Sequence, residues 1–268
     1  MANCNLRFMD NQKIDSTNVT VTNENSTYPF SNALDFKVRS KIFKSTSNSA
    51  WRMTVDLLWS DQVTALCLFA PLGETLGITR EATIKLQADN VNDFTSPELD
   101  ITLSLTSDDK LIHFIDPDVL DVNYRYWSLY IDDPTNPDFI SFGICYLGDY
   151  TTTQLRNISN GFTWVHRDPT TVQRSINGTT YFDERTAYDT FDGIQYGYVE
   201  NADRETLEQL YSRNRTFTKM PISLDPDGVT VGNDINTLTR FARFSSPLTV
   251  PHRIAGYYNV QFSLEECI

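Results

Sequence analysis

Side-chain oxygen atoms cluster most densely in one short segment, at four positions: Asp132, Asp133, Asn136 and Asp138. Oxygen ligands at such close spacing could bind a calcium ion. The spacing does not match the EF-hand loop, and two prolines interrupt the segment. Asp, Asn and Pro are also the residues that turns favour. We therefore predict that residues 132–138 form a turn between two strands, and we leave calcium binding by this segment open. For the similar loop 89–93 we likewise predict a turn and leave calcium binding open.

Residue patterns of common catalytic centres are absent. The three histidines, His113, His166 and His252, never lie at the spacing of a local zinc-ligand pair. There is no nucleophile elbow, P-loop or dinucleotide fingerprint. Among 35 Asp and Glu residues, carboxylate pairs arise by chance and do not specify a glycosidase. We predict that the protein is not an enzyme and has no catalytic, metal-binding or cofactor-binding residues.

The four cysteines, Cys4, Cys67, Cys145 and Cys267, lie far apart and form no CxxC pair. This spacing excludes both a zinc knuckle and a disulfide scaffold. Cys67 and Cys145 lie within apolar runs, so we predict that they are small buried hydrophobic residues.

The net charge of the chain limits the classes of partner that we expect it to bind. The 268 residues carry a net charge of −13, which argues against binding to a nucleic-acid backbone or to an anionic membrane surface. Ten of these thirteen net negative charges fall within residues 1–150. The N-terminus has no apolar leader, and the longest apolar stretch, 63–72, is interrupted by Pro71. We expect a protein that is made in the cytoplasm and does not span a membrane.

Period-2 alternation dominates the sequence and predicts half-buried antiparallel strands. It occurs at 51–57, 99–105 and 258–264, while the continuous apolar run 63–70 predicts a central strand. In the segment 124–130, Trp127 falls on the predicted core face and three tyrosines fall on the other: Tyr124, Tyr126 and Tyr130. That tyrosine face either stacks on sugar rings or is covered by packing.

One segment, 203–213, predicts a helix, because Leu207, Leu210 and Tyr211 have helical spacing. Asn201 or Asp203 is the expected N-cap. Asn177-Gly178 predicts a two-residue hairpin turn, and residues 225–228 predict a second turn. A polar stretch after residue 150 divides the chain into two predicted domains, 1–150 and 151–268.

The first domain resembles the galactose-binding, discoidin-like jelly-roll sandwich, in a version found in bacteriophage tail proteins. Five pieces carry the resemblance: the SNALD sequence at 31–35, the strand that starts at Trp51, the RYW sequence at 125–127, the DP and NP turns at 133–137, and the ICYLG sequence at 144–148. It covers about residues 28–150. In this fold, ligands bind in loops at one end of the sandwich, but many members bind no sugar.

The second domain resembles the tail-tip and distal-tail proteins of long-tailed phages. The resemblance rests on the helix at 203–213, the MPISL and TRFARF sequences at 220–224 and 239–244, and the terminal SLEE sequence at 263–266. It implies a small β-barrel with one flanking helix that assembles into rings. Many distal-tail proteins place the ring domain first, whereas here the sandwich comes first.

We therefore expect an all-β chain with a jelly-roll sandwich and a tail-ring β-barrel. The leading hypothesis is a structural virion protein in the tail of a bacteriophage, forming a homohexameric ring that joins the tail tube to tail-tip or fibre proteins. The alternative is an adhesin that binds host-surface glycans. A glycan-degrading enzyme is the third option.

Overall fold

The computed structural model of the chain describes residues 6–153, 158, 162–226, 235–236 and 238–267. Within this part, the structure is all-β apart from one α-helix and one short 3-10 helix. None of its helices is long and apolar enough to cross a membrane. One prediction, the second half of the 225–228 turn, lies outside these residues.

The chain divides into two compact units. We call the unit formed by residues 9–151 and 230–238 the sandwich unit, and the unit formed by residues 1–8, 152–229 and 239–268 the C-terminal unit. The chain passes from the sandwich unit to the C-terminal unit between residues 151 and 152, next to the predicted boundary at residue 150. The two predicted domains are nevertheless interleaved: residues 1–8 belong to the C-terminal unit and residues 230–238 belong to the sandwich unit. The sequence did not indicate this exchange.

Specific side chains explain the interleaving. Asn236 donates a hydrogen bond from Nδ2 to Thr106 Oγ1 at 2.7 Å, which attaches the segment 235–238 to the sandwich unit. Phe8 lies 6.0 Å, centroid to centroid, from both Phe244 and Phe262 in the core of the C-terminal unit. Single long-range partners of this kind produce no local sequence pattern.

The sandwich unit contains two main sheets and one short strand pair. Its strands are β1 (Arg7–Gln12, of which the first two residues belong to the C-terminal unit), β2 (Val19–Val21), β3 (Phe43–Lys44), β4 (Trp51–Gln62), β5 (Ala65–Phe69), β6 (Thr83–Asp89), β7 (Leu99–Leu103), β8 (Lys110–Phe114), β9 (Asn123–Asp132), β10 (Ser141–Phe142) and β11 (Ile144–Thr151). One sheet has the order β2-β4-β9-β6-β7, the other has β1-β11-β5-β8, and β3 pairs with β10. This is the β-sandwich that the sequence predicted for the first domain.

Alternation in β4 and β9 builds the interior of the sandwich. Residues Trp51, Met53 and Val55 are fully buried and lie opposite three buried β9 residues: Ile131, Leu129 and Trp127. Every residue of β5 is buried, and β5 lies between β11 and β8. The strand predictions for these segments are confirmed.

Four aromatic rings form the part of the core beneath β3 and β10: Phe30, Phe43, Trp51 and Phe142. Phe43 and Phe142 are directly paired across the two strands, with ring centroids 4.9 Å apart. Phe30 belongs to the 3-10 helix Phe30–Leu34, which contains most of the SNALD sequence. Asn32 of that helix donates to the Ile42 carbonyl at 2.9 Å, so the helix also holds the start of β3. We call these four rings the aromatic cluster.

The C-terminal unit contains one larger sheet, a separate hairpin and the α-helix. Its elements are β12 (Thr163–Arg167), β13 (Thr171–Arg174), β14 (Thr180–Asp183), β15 (Tyr188–Val199), α1 (Asn201–Asn214), β16 (Met220–Ser223), β17 (Thr239–Phe244), β18 (His252–Ile254) and β19 (Tyr257–Glu266). The sheet order is β12-β15-β19-β17-β16, continued by the first residues of β1, with β18 paired to β19. No pairing among the described residues closes this order, so the predicted β-barrel is not confirmed.

Helix α1 forms where the apolar spacing predicts it. Leu207 and Leu210 are buried, and the Tyr211 ring lies edge-on to Phe244 of β17 at 5.3 Å. The predicted N-cap is wrong: Glu200 occupies the capping position without a side-chain capping bond. Asp203 lies inside the helix and is buried. The helix begins at Asn201, two residues earlier than predicted, and ends at Asn214.

Strands β13 and β14 form the hairpin that Asn177-Gly178 predicts, but the turn differs from the two-residue type. Ser175 accepts a hydrogen bond from Gly178 N at 3.0 Å and donates its own N–H to Thr179 O at 2.9 Å. Gly178 has φ +80°, a conformation that favours glycine. The arrangement is a type I turn followed by a bulge residue, which places three residues in the loop instead of two.

We predict that Phe142→Ala lowers the free energy of unfolding by about 3–5 kcal/mol, because it removes a fully buried ring from the aromatic cluster. Trp59→Ala is the matched control: this ring is 65% exposed, so the expected change is within about 0.5 kcal/mol. Urea denaturation followed by circular dichroism measures both. Equal losses in the two variants would contradict the assigned core.

Candidate functional site

The acidic segment after β9 is a structural turn. Asp133 is fully buried, and its carboxylate accepts hydrogen bonds from Thr79 N at 2.7 Å and from Thr79 Oγ1 at 2.6 Å. Asp132 accepts from Ala50 N at 3.0 Å. Both carboxylates therefore connect this turn to neighbouring loops. These contacts agree with the prediction that the segment is a turn.

Asn136 makes a second connection to the same neighbouring loop. Its Nδ2 donates to Gly77 O at 3.0 Å, and its Oδ1 accepts from Asp138 N at 3.0 Å. Within the described part of the chain, no group of three or more His, Cys, Asp or Glu side chains is arranged to hold a metal ion. The oxygen-rich segment thus holds the loop 73–79 against the loop 136–139.

These two loops surround a cavity of about 720 Å³ in the sandwich unit. β3 and β10 form its base, with Lys44 and Ser141 directly paired. Alternation puts these two side chains on the cavity side, while their neighbours Phe43 and Phe142 lie in the aromatic cluster. The core therefore fixes the base of the cavity.

Gly77 permits the close approach of the two loops at the base. Its N–H donates to Ser141 O at 2.8 Å, and a Cβ atom at this position would lie 2.1 Å from Ser141 Oγ and 2.9 Å from Ser141 N. A side chain here would displace β10. Gly77 lies between two apolar residues, and an isolated glycine in such a pattern is a signal for close backbone approach, which the sequence interpretation missed.

The rim of the cavity combines an aromatic ring with charged groups. Phe139 is 50% exposed, and Glu74 and Asp138 are exposed beside it. Lys44 Nζ lies 5.2 Å from the centroid of the Tyr28 ring, which is 37% exposed. An apolar ring face surrounded by hydrogen-bonding donors and acceptors is suited to a flat ligand with several hydroxyl groups.

The cavity lies at the end of the sandwich where β9 ends and β4 begins, because its lining follows Asp132 and adjoins the loop before Trp51. The resemblance places ligand loops at one end of the sandwich. Sequence reasoning found Asp138 and Asn136 of this region but not Lys44, Glu74, Gly77 or Phe139.

Other side chains pack against the predicted tyrosine face, which favours the second of the two alternatives that the sequence left open. The Arg52 guanidinium lies 5.0 Å from the Tyr130 ring centroid and 5.0 Å from that of Phe94. It also donates to Gln87 Oε1 at 2.9 Å and to Ser128 Oγ at 2.8 Å. Arginine packing of this kind occupies the ring faces that a sugar would need.

The other two tyrosines are also engaged. Tyr124 is buried against Trp127, with ring centroids 6.0 Å apart, where a register shift interrupts the pairing of β4 with β9. The Arg125 guanidinium lies 4.8 Å from the Tyr126 ring centroid and binds the Asp56 carboxylate through two hydrogen bonds of 2.9 and 3.0 Å. Each of the three tyrosines therefore packs against another side chain of the sandwich unit, although Tyr126 and Tyr130 are only half-buried.

The register shift between β4 and β9 also leaves two neighbouring apolar side chains exposed. Leu58 has φ +70°, a strained conformation for leucine, and both Leu58 and Trp59 are 65% exposed. Ser60 Oγ bonds Asn90 Oδ1 at 3.0 Å, which connects this bulge to the predicted loop 89–93. In that loop Asp89 and Asp93 accept hydrogen bonds from backbone N–H groups two residues on, so it is a turn as predicted.

Histidine and cysteine side chains are not brought together in the described residues. Cys67 and Cys145 are fully buried and unpaired, as predicted, and burial raises the pKa of both thiols. His113 lies in β8, and burial lowers its pKa. His166 is exposed, and its Nδ1 lies 2.5 Å from Asp189 Oδ1 in the C-terminal unit.

Comparison with known proteins yields fold-level similarities only. No protein-family model and no curated protein matches the chain. The lectin domain of lectinolysin complexed with Lewis B antigen is 14% identical, covers 49% of this chain and 91% of its own, and has a TM-score of 0.38. A Streptococcus pneumoniae fucose-binding module, SpX-3, is 8% identical and covers 56% and 99% of the two chains, with a TM-score of 0.39. The family 32 carbohydrate-binding module of C. perfringens NanJ, in complex with galactose, is 14% identical and covers 49% and 91%, with a TM-score of 0.36.

These neighbours are lectin-like modules of the galactose-binding type, and none of the three is a bacteriophage tail protein. Identities and TM-scores of this size carry no argument about the function of this chain.

The exposed Asp turns predict the acid dependence of stability. The pKa values of Asp15, Asp93 and Asp121 are lowered by hydrogen bonds from residues two positions on, Thr17, Thr95 and Asn123. A lowered folded-state pKa stabilises the protein above the ordinary value of 3.8, and this stabilisation is lost as the pH falls through the folded-state pKa. Replacing all three by Asn keeps an accepting oxygen but removes the titration.

We expect the Asp15→Asn, Asp93→Asn, Asp121→Asn variant to lose less unfolding free energy than the wild type when the pH is lowered from about 5 to about 2. Urea denaturation at a series of pH values measures this. An Asp118→Asn variant, whose Asp side chain is exposed in the same unit, is the control. Identical pH dependence of the triple variant and the wild type would contradict the prediction.

Proposed function

We propose that the sandwich unit binds a glycan in the cavity between the loops 73–79 and 136–139. The observation that carries the proposal is the half-exposed Phe139 ring at the rim of a cavity that also presents Lys44, Glu74 and Asp138. Sugars combine apolar C–H faces with hydroxyl groups. An exposed ring can pack against the former while charged side chains bond the latter.

The charges favour an uncharged or amino sugar over an anionic one. Glu74 and Asp138 contribute two carboxylates to the cavity, and Lys44 contributes one ammonium group. A carboxylate or sulfate on the ligand would therefore meet a net negative site and be disfavoured. The role we propose is binding without turnover, as an adhesin for host-surface glycans.

Contacts within the chain hold the structure around the cavity. The base strands are fixed by the aromatic cluster, and the loops are joined by the bonds of Asp133 and Asn136. Preorganised sites lose less conformational entropy on binding. A small neutral ligand with few contacts can therefore bind specifically.

Removal of the aromatic ring tests the proposal. We expect the wild type to bind a subset of neutral glycans on an array, and Phe139→Ala to weaken that binding at least about tenfold in calorimetry. Phe139→Tyr, which keeps the ring, should bind nearly as the wild type does.

Trp59→Ala is the matched control, because it removes another exposed ring of the sandwich unit that lies outside the cavity lining. Absence of glycan binding by the wild type would overturn the proposal. Equal losses in Phe139→Ala and Trp59→Ala would move the binding surface away from the cavity.

A structural role in a bacteriophage tail is the second candidate function that we propose, in the virion and as part of a ring. The observation that favours an assembly role is the exposed apolar hairpin β13–β14 of the C-terminal unit, where Val172, Tyr181 and Phe182 are each more than half exposed. Solvent exposure of this size on neighbouring residues is typical of interaction surfaces. Detection of the protein in purified tailed particles by mass spectrometry tests the location, and its absence there would contradict it.

A further inference from the structure

Hairpin β13–β14 stands apart from the sheet of its unit. It forms a separate two-stranded sheet, and its strand residues are exposed except for Thr180, which is half-buried. The loop residue Ile176 is completely exposed. Isolated two-stranded hairpins are only marginally stable in water and need a packing partner. The turn bonds of Ser175 explain the shape of the loop, but nothing in the described residues covers the faces of the hairpin.

The apolar residues are concentrated on one face. Val172 and Phe182 are directly opposite each other in the register, and Arg174 and Thr180 form the next pair on the same face. Tyr181 and Gln173 lie on the other face. A cross-strand pair of a β-branched and an aromatic residue is a favourable packing unit, and here it faces solvent.

Charge on the same face points to the partner. Arg174 lies at the loop end of the hairpin, and Glu184 directly follows β14 at the opposite end, where strand alternation extended by one residue would place it on the face of Phe182. Neither Arg174 nor Glu184 has an ion-pair partner within the part of the chain that the structure describes. One face thus carries a positive end, an apolar middle and a negative end. A second hairpin laid antiparallel on this face would place each arginine near a glutamate.

The charge of the wider segment agrees with self-association. Residues 163–187 carry three arginines and three acidic residues, so two copies do not repel each other there. The sandwich unit, with twenty-two acidic and ten basic residues, would repel its own copy. Self-complementary surfaces of this kind are the requirement for a two-fold interface.

We propose that the β13–β14 hairpin is the interface through which the chain binds a second copy of itself, with the two Val172–Phe182 faces packed antiparallel. This inference rests on the assembly role proposed above and is independent of glycan binding. The arrangement is two-fold, so it builds a dimer or an even-numbered assembly. The homohexamer predicted from the sequence is compatible with it only if a second interface exists.

Sedimentation velocity and light scattering of the full chain over a range of concentrations test the proposal. We expect the wild type to form a dimer or a multiple of it, and Phe182→Asp to weaken self-association at least about tenfold. Ile254→Asp is the matched control, because Ile254 is 54% exposed on β18 of the same unit and should leave the assembly unchanged. Circular dichroism and thermal melting verify that each variant is folded.

A charge-reversal pair makes the test specific for the antiparallel arrangement. Arg174→Glu alone should weaken self-association, and so should Glu184→Arg alone, because each brings like charges together. The double variant should restore it. A wild type that remains monomeric at all concentrations would overturn both the interface and the assembly role. An assembly that is insensitive to Phe182→Asp, or is not restored in the double variant, would overturn the hairpin interface alone and leave the assembly role standing.

Discussion

The packing of the aromatic cluster is the constraint on which the candidate site depends. Strands β3 and β10 have only two residues each, which is too short for backbone hydrogen bonds to hold them in place. Burial of Phe43 and Phe142 against Phe30 and Trp51 supplies the missing stabilisation. The alternate residues of the same strands, Lys44 and Ser141, must then face the cavity. The strand pair β3–β10 therefore contributes side chains to the core on one face and to the cavity on the other.

The sequence predicted the long elements well, because periodicity accumulates over their length. Strand β4, the central strand β5 and helix α1 each repeat their pattern over several residues. A two-residue strand carries no period, so β3 could not be predicted, and neither could the cavity side chains that β3 and β10 position. Phe139 was missed for the same reason: a single aromatic residue after a proline turn has no pattern that distinguishes an exposed ring from a buried one. The open order of the C-terminal sheet depends on pairings such as β17 with β19, which no local signal specifies.

The acidity of the chain has a local structural origin. Seven sandwich-unit aspartates accept hydrogen bonds from the backbone N–H two residues on: Asp15, Asp35, Asp56, Asp89, Asp93, Asp116 and Asp121. Each satisfies a donor that a tight turn would otherwise leave unpaired. A sandwich with many short loops accumulates such turns, and with them a large negative charge. The low isoelectric point thus follows from the loop content of the fold and does not by itself identify a partner.

The same charge nevertheless determines which contacts each unit can make. A strongly acidic surface disfavours like-charged partners, including copies of itself and anionic glycans, but places no electrostatic penalty on a neutral sugar. The C-terminal unit carries twelve basic and thirteen acidic residues, so its exposed apolar side chains can approach an identical surface without repulsion. The cavity that we propose for glycan binding and the hairpin that we propose for self-association therefore lie on surfaces whose charges suit these roles.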